Sequence, residues 1–152
     1  MKGTILAFAA ILTAVALTGG IASAAPVKND VQVTGNVQID ANDPTVAYVT
    51  VRYVCQGGPG AHVWVSVKQA ESRRPESWLK EEGSGGLAAA WSHSHRNEVT
   101  CDGQWHAATL TVDQVEWGQG ELAQGQGWVQ FCVIPSTGEQ DIVWSMRFAA
   151  VK

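Results

Sequence analysis

The chain lacks the signatures of several large function classes. It carries no Gly-x-Ser-x-Gly nucleophile elbow, no Gly-x-Gly-x-x-Gly fingerprint, no P-loop and no His-Glu-x-x-His pair. Its three cysteines are too few for a disulfide-dense miniprotein or for a zinc site closed by cysteine alone. Ten basic residues stand against fourteen acidic ones, a net charge of −4, so the basic footprint of a nucleic-acid binder is missing. No Asn-x-Ser/Thr acceptor for glycosylation occurs. What remains is a folding composition. Apolar residues make up 45% and charged residues 16% of 152 residues, enough apolar surface to offset chain entropy in one domain.

Residues 1–24 read as a cleaved export signal. Lys2 supplies the positive start, Ile5 to Leu17 the apolar stretch, and Ala22-Ser23-Ala24 the small-residue cleavage site. Cleavage is expected before Ala25 or Pro26. No second run of 18 apolar residues follows, so the expectation is a secreted protein without a membrane span after cleavage. Residues 25–152 then form one domain, and all seven tryptophans lie in it.

That domain reads as strands. Val31, Val33, Val37 and Ile39 alternate with polar residues, and Gly35 interrupts them as a bulge would. Thr45 to Cys55 repeats the alternation, Gln56 to Gly60 turns the chain, and Val63, Val65 and Val67 follow on one face. The two segments look like a hairpin. Residues 71–87 break the pattern, and Pro75 to Glu82 suits either one or two helical turns or a long exposed loop. Strand character returns at Glu98 to Cys101, Trp105 to Asp113, Trp128 to Ile134 and Ile142 to Val151, with a Gly/Gln-rich loop at 118–127. Trp128 to Ile134 is apolar on both faces and should be central. Six or seven short strands without a long helix predict an all-β fold, an antiparallel two-sheet sandwich of the immunoglobulin-like kind.

Export permits a disulfide. Cys55 and Cys101 each end a strand and precede a turn, which favours their pairing. Cys55–Cys132 is the rival, an immunoglobulin-type link between sheets. Cys132 sits among apolar residues, where a free thiol acts as a small hydrophobe.

Three segments carry a resemblance: Val51-Arg52-Tyr53-Val54-Cys55-Gln56-Gly57-Gly58, Val63-Trp64-Val65-Ser66-Val67-Lys68-Gln69 and Val99-Thr100-Cys101-Asp102-Gly103-Gln104-Trp105-His106. Together they resemble small secreted immunoglobulin-like β-sandwich domains of actinobacteria that carry no assigned function. The resemblance implies a Tyr-x-Cys strand and a Cys-Asp-Gly turn as the two half-cystines, Cys55 and Cys101. It brings no catalytic or binding residues.

Tryptophan and histidine are the side chains with chemistry to offer. Trp64 lies opposite the valine face of its strand, and Trp78 and Trp117 lie in loops, so these three are the candidate ligand contacts. Trp128 and Trp144 read as packing. His93 and His95 would share one face of a strand and are weak candidates for a metal, with His62 and His106 as further ligands. No cofactor is implied. The leading expectation is a non-catalytic binding or surface-interaction module whose partner is an extracellular protein, a glycan or a small apolar ligand. A small secreted hydrolase and a histidine-based metal binder are the alternatives.

Overall fold

The computed structural model describes residues 28–57, 60–96, 99–113, 117–137 and 140–152. The export signal read at 1–24 lies outside them. Among the described residues seven strands follow in chain order: β1 (Asp30–Ile39), β2 (Ala47–Val54), β3 (His62–Gln69), β4 (Ala90–Arg96), β5 (His106–Val112), β6 (Gly125–Ile134) and β7 (Val143–Val151). They form one mixed sheet in the order β4-β3-β6-β7-β1-β2-β5. All pairings are antiparallel except β1 with β7, which meet in parallel at Val37 and Val151. The fold is all-β, as the alternation predicted. Among the described residues no helix is long and apolar enough to cross a membrane.

Period-two sequence places the core. Val31, Val33, Val49, Val51, Val63, Val65, Val67, Val129, Phe131 and Val133 point to one side and are buried together. The sheet curls around them until its two outer strands nearly meet. Asp113, just past β5, donates its amide to the His93 carbonyl of β4 at 3.4 Å, and Ser94 Oγ donates to Asp113 Oδ1 at 2.6 Å. Strand β1 makes the curl possible. Its register slips between Thr34 and Gln38, where Gly35 takes φ +70°, so the strand bends and reaches both β2 and β7.

Several local expectations are revised. The segments now named β2 and β3 do not form a hairpin: β2 pairs with β1 and β5, and β3 with β4 and β6. Strand β2 lies second from one end of the sheet and β3 second from the other. Strand β4 occupies Ala90–Arg96 rather than Glu98 to Cys101. Glu98 lies outside the described residues, and Val99 to Cys101 is irregular apart from the bridge between Asp102 and Gln56. The sequence hides β4 because two of its core-facing positions, Ser92 and Ser94, are polar. Ser92 and Ser94 are fully buried and satisfied by the Thr45 carbonyl (2.6 Å) and by Asp113. Strand β6 is central, as read, but starts at Gly125 inside the expected loop. Residues 71–87 hold two short 3₁₀ turns, Ser77–Lys80 and Ser84–Leu87, and Pro75 precedes the first rather than opening it.

Cys55 and Cys101 are joined by a disulfide across 46 positions. It ties the end of β2 to the segment leading into β5, where the Gly103 amide also donates to the Cys55 carbonyl at 2.9 Å. Cys132 is a buried free thiol on the opposite side of its sheet from the core, which excludes the Cys55–Cys132 link. Burial pushes the Cys132 thiol up to about 12, helped by its hydrogen bond to Asp141 and by that carboxylate's charge.

Replacing both Cys55 and Cys101 by Ala should cost about 4 kcal/mol by loop-closure entropy, read as a lower urea midpoint. Cys132 in the folded protein should stay unmodified by iodoacetamide near neutral pH and react once the chain is unfolded, because the thiolate is the nucleophile. Intact mass after each treatment checks this.

Candidate functional site

The outer face of β4-β3-β6-β7 is organised in rows set by strand register. One row runs Trp91, Lys68, Trp128, Phe148. The next runs His93, Ser66, Gln130, Met146, and a third His95, Trp64, Cys132, Trp144. The 71–89 excursion folds back over the first row. Leu79, fully buried, packs with Ala70, Ala88 and Trp128, and Trp78, Trp91 and Phe148 close the cluster. Lys80 Nζ caps it from outside, 5.8 Å from the centroids of both Trp128 and Phe148. Gln119 anchors the far end of the excursion, donating from Nε2 to the carbonyls of Gly85 (2.9 Å) and Ala88 (2.7 Å). Its main chain also bridges to Trp91.

The cover stops at the edge of the second row, and a pocket of about 290 Å³ opens there. Three indoles line it: Trp64, Trp91 and Trp117. Lys68 and Gln130 contribute from the sheet, and Glu82 and Gly85 from the cover. Gly85 is required by space. A Cβ at this position would lie 2.5 Å from the Trp91 ring, so any larger residue would displace the indole. Histidines brace the other faces of the indoles. His93 stacks on Trp64 at 4.8 Å between ring centroids, lies 4.8 Å from Trp91 and stacks on Trp117 at 6.1 Å. His95 meets Trp64 edge-on at 4.6 Å.

Lys68 is the unusual member. It is 3% exposed, yet its ammonium has only neutral oxygen partners among the described residues: Ser84 Oγ at 2.6 Å and the Glu81 carbonyl at 3.4 Å. Ser84 Oγ in turn donates to the Leu79 carbonyl at 3.0 Å. Desolvation holds the Lys68 value below its usual 10.5. Nearby, the indole N–H of Trp91 is buried without a hydrogen-bond partner among the described residues, a further polar cost at the same place.

The residues singled out in the sequence are distributed as follows. Trp64 and Trp117 come together in the pocket, Trp117 being 64% exposed. Trp78 does not join them; it is half-buried in the cover. Trp144, read as packing, is 61% exposed at the end of the third row. Its strand faces solvent on that side, so the alternation alone could not assign it to the core. Trp128 is buried, as expected. His93 and His95 share a face of β4, but the Trp64 indole packs against both rings and His93 is buried. His62 stacks on His95 at 6.0 Å. His106 sits elsewhere, on β5, stacked on Tyr53 with its Nε2 2.8 Å from Asp102 Oδ1. That contact holds the Asp102 carboxyl below its usual value. Among the described residues no group of three or more His, Cys, Asp or Glu side chains is placed to hold a metal ion. Lys68, Trp91 and Gln130 escaped the sequence reading. Lys68 and Gln130 alternate with core valines in β3 and β6, and that alternation alone marks them as outward-facing.

No protein-family model matches the chain, and no curated protein matches it.

The buried ammonium makes a testable statement about stability. In the unfolded chain Lys68 titrates near 10.5, and in the folded chain lower. Between those values the unfolded state holds more protons, so stability rises with pH there. The penalty is therefore complete below the folded value and relieved as pH approaches 10.5. Lys68→Met should match or exceed the original stability near neutral pH, and the difference between the two proteins should shrink towards pH 10.5. Urea unfolding of both across that range measures it, and a loss of several kcal/mol in Lys68→Met would contradict it.

Proposed function

We propose that this chain is a secreted, non-catalytic binding module that holds a small flat-ringed ligand between Trp64, Trp91 and Trp117. The observation that carries the reading is the pocket itself. Three indoles from separate segments converge on one cavity, at the point where a cover over the sheet ends. Indoles bind rings through area and quadrupole rather than through reaction, and the volume is near the lower end of the range for small-molecule pockets. The disulfide fits an oxidising compartment, and the residue pattern of 1–24 fits export. Within this reading the sheet is taken as an immunoglobulin-like sandwich. Strands β5-β2-β1 form one layer and β4-β3-β6-β7 the other, with β1 passing between them.

Calorimetric titration of the purified protein with 2-naphthamide, a neutral flat-ring probe, tests this. Binding is expected, and Trp117→Ala should weaken it by about 1 kcal/mol, roughly fivefold, through loss of one stacking partner. Trp105→Ala should leave it unchanged, since Trp105 is comparably exposed at 47% but lies outside the pocket. Absence of binding, or equal weakening by both variants, would overturn the reading.

A further inference from the structure

We infer that the indole pocket is built for an acidic ring compound, a small planar aromatic carrying one carboxylate, with Lys68 as its counter-charge. The inference rests on the binding reading above and goes one step past it, from a shape to a charge.

The argument begins with an imbalance. A buried ammonium is normally held by a carboxylate, because neutral partners do not replace the solvation it loses. Lys68 has a hydroxyl and a main-chain carbonyl, and among the described residues no carboxylate makes an ion pair with it. Two bonds leave the third ammonium proton without an acceptor among the described residues. The side chain is fixed in this position by register, between Trp91 on β4 and Trp128 on β6, and by Ser84 in the cover. It therefore cannot swing out to water without breaking the packing around it. The other polar group from the sheet, Gln130, has its Oε1 turned to Ser66 Oγ at 3.2 Å and, among the described residues, its Nε2 only in a long contact with Met146 Sδ at 4.0 Å. A donor is thus left for a second ligand oxygen. Glu82 also lines the pocket, but it is exposed, and water screens its charge far more than that of a buried group. An anion seated against Lys68 would feel the buried ammonium more strongly than the exposed Glu82 carboxylate.

Size and shape complete the assignment. About 290 Å³ admits one or two fused rings with a short acidic substituent. The indoles supply flat apolar surface, and the two polar side chains from the sheet, Lys68 and Gln130, come from the neighbouring strands β3 and β6. A ligand with one flat apolar end and one anionic end matches this division. A cationic ring would place two positive charges together in a desolvated site, and a neutral one would leave the ammonium uncompensated.

The test uses three isosteres on the unaltered protein: 2-naphthoate, 2-naphthamide and 2-naphthylmethylammonium, titrated at low salt. The acid should bind roughly tenfold or more tightly than the amide, and the cation weakest, as expected for a hydrogen bond to a charged group. Lys68→Met should bring the acid-to-amide affinity ratio down to about one, read as a ratio within the variant so that any change in overall affinity cancels. Lys68→Gln, which keeps a donor without the charge, repeats the comparison if the first variant does not fold. Equal affinity for acid and amide would overturn the charge assignment and leave the ring-binding reading intact. Binding of none of the three would overturn both. A preference for the acid that survives both substitutions would place the anion elsewhere and overturn the role of Lys68.

Discussion

The structure hinges on β3 being buried on both sides. Its valines fill the core, while Ser66 and Lys68 on the other face lie under neighbouring side chains and the cover. A strand buried on both faces has its register strongly fixed, because a slip of one residue would drive Lys68 into the core and a valine under the cover. From that register follow the rows on β4, β6 and β7, and from the rows follows the position of every pocket residue on the sheet.

The cover depends on the same face. Residues 71–89 contain little regular structure, and Leu79 is the only large aliphatic side chain they bury. Burying such a side chain contributes about 2 kcal/mol, and hydrogen bonds tie the excursion to the sheet as well. Gln119 holds it from outside and Lys68 from beneath, through Ser84. The ammonium thus serves two ends, fastening the cover and facing the pocket at its margin. A hydrogen-bonded but electrically uncompensated group is a poor choice for stability alone. This is the physical sense in which the site and the fold compete.

Much of the fold was legible because valine and polar residues alternate regularly in β1, β2 and β3, and because β6 is apolar on both faces. Cys55 was legible as a half-cystine because it stands at the end of β2 beside a turn; Cys101 precedes the turn at Asp102-Gly103 as read, but the strand expected before it is irregular chain. The bulge at Gly35 was legible from a glycine inside an alternating run. Strand β4 was not, since Ser92 and Ser94 face the core and are kept there by hydrogen bonds made 19 and 47 positions away. The β2–β3 hairpin was misread for a related reason. A Gly/Pro-rich turn permits a hairpin, but only pairing partners decide whether the strands it joins become neighbours.

For the site, the sequence determined the inventory: three cysteines, seven tryptophans, an outward Trp64 and an outward Lys68. It also determined the faces, because side-chain direction along a strand is a local property of the backbone. What only the tertiary structure decided is adjacency. Trp64, Trp91 and Trp117 are scattered along the chain, and Lys68 meets Ser84 across a segment with no strand pattern. Convergence of this kind depends on long-range register and on where a cover happens to end, and neither is written in any local stretch of residues.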